Sequence, residues 1–148
     1  MTATPYMPPA LPHDLPALET APNRIVFIFD GTCDFCTRSV RLIRRLDRHN
    51  RITPIPFQRS GAVDTYGLTV AQCEHAAWAV TWDGDRYPAA AAINVALSTA
   101  LGTRLPRLVY RIPGMPWLQE HIYARIARNR TRLPGDTPYC DQHPEACA

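Results

Sequence analysis

The stretch Ile25-Val26-Phe27-Ile28-Phe29-Asp30-Gly31-Thr32-Cys33-Asp34-Phe35-Cys36 constrains this chain most. A short run of β-branched and aromatic residues breaks at Asp30-Gly31 and resumes with a helical pattern, which reads as a buried strand, a tight turn and a helix start. Cys33 and Cys36 are three positions apart at that helix start, so a helix brings both onto one face at bonding distance. Unpaired N–H groups at a helix N-terminus stabilise a thiolate, and cysteines in such places can have pKa values lowered from about 8.5 into roughly 3.5–7.5. Cys33, at the exposed end, is the expected attacking thiol, and Cys36, one turn further in, the resolving one. Asp30 is expected either to cap the helix or, if desolvated, to shuttle a proton to or from Cys36.

Asp30-Gly31-Thr32-Cys33-Asp34-Phe35-Cys36 after an apolar strand resembles the Asp-x-x-Cys-x-x-Cys signature of the DCC family of thiol-disulfide oxidoreductases. The resemblance continues through Ser39-Val40-Arg41 and Ile55-Pro56-Phe57-Gln58, and ends on Tyr123-Ala124-Arg125-Ile126-Ala127-Arg128-Asn129-Arg130, similar to the family's closing helix. It covers roughly Arg24 to Leu133 and implies a dithiol that reduces or exchanges disulfides of a protein or small-molecule substrate. This chain departs from the family at Ala89-Ala90-Ala91-Ala92, where members tend to carry a Gly-Ser-Asp-Ala-like turn.

The order of patterns, strand, dithiol helix, strand, short helix, hairpin, helix, is that of a thioredoxin-like α/β domain with a mixed central sheet. A right-handed crossover between the first two strands puts the dithiol at the carboxyl end of the first. The first helix is expected over about Asp34 to Asn50, with Phe35, Val40, Leu42, Ile43 and Leu46 as its apolar stripe and Arg38, Arg41, Arg44, Arg45 and Arg48 as its solvated face; Arg38, one turn past the motif, could instead help to hold a thiolate or an acidic substrate. Pro54 and Pro56 confine the second strand to an edge or to irregular pairing. A short helix around Thr69 to Glu74 would put Val70 and Cys73 on one side, with Cys73 as a packing residue. Asp83-Gly84 marks a hairpin, and Gly102 the end of a helix from Ala89 to Leu101. The proline usual before the hairpin of thioredoxin-like domains is missing, with Gln72-Cys73-Glu74-His75 standing there. After the breakers Pro113-Gly114 and Pro116, a helix from about Trp117 to Arg130 stacks Leu118, Ile122 and Ile126 at helical spacing as a C-terminal extension covering the core.

Three segments follow: a proline-rich extended or disordered tail over 1–23, the domain over 24–133, and a Cys/His-containing tail over 134–148. With 148 residues and 46% hydrophobic content the chain holds one core. No apolar run approaches the ~20 residues of a membrane helix, and a net charge of +3 makes no case for nucleic acid or membrane, so neither partner is expected. All 16 basic residues are arginine, which leaves Schiff-base and P-loop lysine chemistry without a residue.

The five cysteines form an odd set, and the N-terminus lacks the basic and apolar regions of a signal peptide, so a reducing cytoplasm is the expected compartment. In that setting the dithiol is its own redox group and no cofactor is called for. Two alternatives stand beside this reading. Cys33, Cys36, Cys140 and His143, with Cys147 as a substitute, make a four-ligand zinc set for a non-catalytic module. A thioredoxin-like interaction protein with a redox-inert pair is the other. Within the redox reading, Cys140 and Cys147 could pair with each other or accept electrons from Cys33 and Cys36.

Overall fold

The computed structural model describes residues 24–81 and 84–147. The proline-rich stretch 1–23 and Trp82-Asp83 of the hairpin lie outside the described residues. Four strands, β1 (Ile25–Phe29), β2 (Ile52–Pro56), β3 (Trp78–Thr81) and β4 (Arg86–Pro88), form one sheet in the order β2-β1-β3-β4. β1 pairs parallel with β2 and antiparallel with β3, and β3 pairs antiparallel with β4, so the sheet is mixed and the fold is thioredoxin-like α/β. β2 lies at the edge, as Pro54 and Pro56 require, since neither has an N–H to give a second neighbour.

β1 is buried along its whole length because helices cover both faces of the sheet. Ile25, Phe27 and Phe29 face a cluster with Val40 and Ile43 of α1 (Asp34–Leu46) and Ala92, Val95, Ala96 and Ala100 of α4 (Ala89–Leu101). Val26 and Ile28 face the other way, against Ala62 of α2 (Ala62–Thr65), Tyr66, Leu68 and Cys73 of α3 (Val70–His75). Each such aliphatic or aromatic side chain removed from water contributes roughly 1.5–3 kcal/mol, so β1 is the best-anchored element and fixes the turn that follows it.

Several local expectations are corrected. α1 stops at Leu46 rather than near Asn50, because Asp47 turns out of the helix and its buried carboxylate accepts the N–H groups of Arg51 (3.0 Å) and Ile52 (2.9 Å). That bond pair fixes the start of β2 at the cost of further helix. Leu42 and Leu46 are exposed, whereas Thr37, on another side of α1, is buried because the C-terminal segment docks there. Val70 is exposed while Cys73 is buried, so the two do not share a face; Thr69 starts α3 with a capping box to Gln72. Gly102 ends α4 in the left-handed conformation, φ 68°, as read from its position. Leu105–Tyr110 form a further helix, α5, and Pro116 sits in the first turn of α6 (Met115–Arg128) instead of breaking it. α7 (Tyr139–Gln142) and a 3-10 turn over Pro144–Cys147 close the described chain.

Ala89 opens α4 at φ 54°, a left-handed conformation that costs a non-glycine residue ~1–2 kcal/mol. This is the first position of the four-alanine departure from the family's turn. Ala89→Gly should therefore stabilise the fold by about 0.5–1 kcal/mol, the reverse of the usual loss for glycine at a helix position. Urea unfolding checks this, and a lower midpoint for the variant would contradict it.

Candidate functional site

The site is assembled where β1 ends. The Asp30 carboxylate folds the turn: Oδ1 accepts from the Thr32 N–H (3.0 Å), the Thr32 hydroxyl (2.7 Å) and the Gln58 side-chain amide (2.7 Å). The same Gln58 accepts the Gly31 N–H through Oε1 (3.0 Å), so the residue just after β2 clamps the turn after β1. The helix cap expected of Asp30 belongs to Cys33 instead. Cys33 has extended backbone, φ −97° and ψ 124°, and its Sγ accepts the Cys36 N–H at 3.2 Å. The sulfur in that position meets an amide of the first helical turn that has no partner within the helix.

Cys36 lies one turn inward. Burial pushes its thiol up from 9.0 to about 12, helped by the hydrogen bond and the charge of Cys33, while the guanidinium of Arg130 pulls the other way. Arg130 NH1 donates to Cys36 Sγ at 3.8 Å, and NH2 pairs with Asp30 Oδ2 at 3.4 Å. One arginine thus joins the inner sulfur to the carboxylate that shapes the turn. Arg38 is exposed, in keeping with a solvated face, and the alternative part of a thiolate's neighbour falls to Arg130. The residue that does this work comes from beyond the end of α6, where the sequence shows only a crowd of arginines. Its one signal was the match of Tyr123 to Arg130 with the family's closing helix.

Tyr123 completes the wall. Its hydroxyl accepts the Ala77 N–H at 2.9 Å, and burial raises its phenol, with the Cys36 charge acting in the same direction. Ala77 precedes β3 beside the end of β1, since Ile28 pairs with Trp78. The segment Gln72–His75 falls within or at the end of α3, so Ala76-Ala77 and not those residues lead into the hairpin.

The C-terminal segment packs onto the same turn. The Asp136 N–H donates to Asp34 O (3.1 Å), the Tyr139 N–H to Thr37 Oγ1 (3.0 Å) and the Cys140 N–H to Gly31 O (2.8 Å). Tyr139 meets Phe29 edge-on at 5.3 Å between ring centres. Gly31 must be glycine for this approach, because a Cβ there would stand 2.5 Å from Cys140 Sγ and 2.8 Å from Pro56 Cβ.

Cys140 is bonded to Cys147, the pairing considered from the sequence, while Cys33, Cys36 and Cys73 carry free thiols. The disulfide removes Cys140 and Cys147 from the four-ligand zinc set. His143 stacks on Tyr139 and sits 3.8 Å from the Glu145 carboxylate, and among the described residues no three His, Cys, Asp or Glu side chains gather around one point. The Cys33, Cys36, Cys140 and His143 set is therefore not brought together in this arrangement. Among the described residues no helix is long and apolar enough to cross a membrane.

A paired dithiol on the first helical turn, at the carboxyl end of a central strand in a mixed sheet, defines a thioredoxin-like dithiol domain. Residues 27–136 match the model of the DCC1-like thiol-disulfide oxidoreductase family, and the chain belongs to that family. No curated protein and no solved structure matches it.

Two outcomes follow from the geometry. Arg130→Met should slow closure of the Cys33–Cys36 disulfide about tenfold by leaving the Cys36 thiolate without its counter-charge, with Arg130→Lys intermediate; oxidation kinetics of the reduced protein check this, and equal rates would contradict it. The reduced protein should also lose stability as pH rises from about 9 toward 12. Over that range the unfolded chain releases the Cys36 proton while the folded chain, whose thiol is raised to about 12, retains it; Cys73, raised to about 11 by burial, adds to the loss. Urea midpoints measured through this window should fall, and less steeply in Cys36→Ser.

Proposed function

We propose that the protein is a thiol-disulfide oxidoreductase in which Cys33 attacks and Cys36 resolves. The observation that carries the reading is the asymmetry of the pair: Cys33 Sγ takes a helix N–H at the outer end, whereas Cys36, half-buried one turn further in beneath Arg130, has its thiol pushed up to about 12. Family membership supports the same chemistry.

In the forward step the Cys33 thiolate attacks one sulfur of a substrate disulfide, forming a mixed disulfide and releasing the other substrate sulfur as a thiolate that takes up a proton. Cys36, deprotonated as Arg130 offsets the charge, then attacks Cys33 Sγ. The second substrate thiol leaves, the Cys33–Cys36 disulfide closes, and two electrons have passed to the substrate. Asp30 serves as a positioning residue here, holding Arg130 against Cys36. Its carboxylate, engaged by Thr32, Gln58 and Arg130, supports this role over that of a free proton shuttle. The dithiol is the redox group of this reaction, so the proposed chemistry calls on no metal or organic cofactor, and an external thiol reductant returns Cys33 and Cys36 to the reduced state. The substrate is a protein or small-molecule disulfide.

Cys33→Ser should abolish exchange with a model disulfide, while Cys36→Ser should accumulate a mixed disulfide between Cys33 and that substrate, identified by peptide mass mapping. Full activity in both variants would remove the motif from the chemistry and leave an interaction protein with an inert pair.

A further inference from the structure

α6 is built inside out. Its polar residues face the protein: Gln119 bonds Asn94, Glu120 accepts from the Ala90 N–H (3.2 Å) and from the Tyr110 hydroxyl, and Tyr123 accepts from Ala77. Its apolar residues face solvent. Trp117, Leu118, Ile122 and Ile126 are 39–66% exposed, and no residue of the helix is buried. The stripe expected to cover the core is real in spacing but turned outward, because the inner face is committed to hydrogen bonds with α4, α5 and the start of β3. On α5 and the turn after it, Leu105, Leu108 and Ile112 are exposed as well. An exposed apolar surface of this extent marks a contact with something.

Charge says with what. Over residues 87–135 the only carboxylate is Glu120, which is turned inward, whereas arginines stand at 104, 107, 111, 125, 128, 130 and 132. Arg104, Arg111, Arg125, Arg128 and Arg132 are exposed beside the apolar residues. A second copy placed symmetrically on this face would set one arginine rim against another without an acid between them. An anionic bilayer surface satisfies both features, taking tryptophan, leucine and isoleucine at the headgroup boundary and pairing arginine with lipid phosphate or carboxylate.

We propose that the outer face of α5 and α6 docks on the surface of a membrane carrying anionic lipids. This departs from the expectation drawn from a net charge of +3 and from the lack of a spanning run, because surface docking depends on local charge and needs no span. It goes beyond the redox reading and does not depend on it. It does place the dithiol close to the membrane, since Tyr123 and Arg130, inward from the same helical segment, line the Cys36 side of the site.

The test is co-sedimentation of the full chain with vesicles of phosphatidylcholine, with and without phosphatidylserine. The expected result is binding to the serine-containing vesicles that weakens with added salt. It should drop about tenfold or more in the double variant Ile122→Asp and Ile126→Asp, and also in Arg125→Glu with Arg128→Glu. Both pairs are exposed, so circular dichroism should stay at the parent spectrum, and Cys33→Ser should bind vesicles as the parent does. Absence of vesicle binding would overturn the proposal, as would equal binding by the aspartate variant, which would reduce the effect to bulk charge. A dimer in light scattering that the aspartate variant dissociates, with no vesicle binding, would assign the face to a second copy instead.

Discussion

The Asp30 carboxylate is the point on which the site depends. A charged group at the end of a buried strand is tolerable only if its oxygens are filled, and here the partners that fill them come from three parts of the chain. Thr32 supplies two donors from the turn, Gln58 one from the residues after β2, and Arg130 a guanidinium from beyond α6. Each of these also has a second duty. Gln58 accepts the Gly31 N–H, Thr32 leads into the Cys33 cap, and Arg130 reaches Cys36 Sγ. Satisfying one carboxylate therefore sets the turn, the cap and the counter-charge of the inner thiol together.

The two sulfurs are differentiated by depth and by what the backbone offers them. Cys33 lies at the helix N-cap and draws on an amide; Cys36 lies within the helix, under Arg130 and near Tyr123. The docked C-terminal segment presses Gly31 and the first turn of α1 from the other side, so the dithiol sits on a turn held from several directions. That rigidity favours a fixed cap geometry over a mobile loop, and it explains why a residue as small as glycine is required at position 31.

Much of this was legible in the residues. The run Ile25 to Phe29 followed by Asp30-Gly31 and two cysteines three apart located the strand, the turn and the helix start; Pro54 and Pro56 placed β2 at the edge; Gly102 ended α4. These features are local, and local rules govern them. What escaped is long-range. Arg130 is 94 residues from Cys36 in the chain, and no spacing rule singles it out among its neighbouring arginines. The buried Thr37 was unreadable for the same reason, because only the docked Tyr139 N–H makes a hydroxyl there useful. Periodicity found the Leu118, Ile122 and Ile126 stripe but not its direction: a helical period reports that one face is apolar and is silent about whether the other face has better hydrogen bonds to offer the protein. Gln119, Glu120 and Tyr123 did have them.

The two thiols of one motif are proposed to be unequal, Cys33 reactive at the outer end and Cys36 held back by partial burial. Residue-resolved alkylation of the fully reduced chain at neutral pH, quenched over time and read by peptide mass mapping, tests it directly. Cys33 should be modified first and Cys36 should remain largely unmodified, also in Cys33→Ser, where burial of Cys36 is unchanged. Modification of Cys36 at the same rate as Cys33, or ahead of it, would mean that the motif does not distinguish its two thiols in this way.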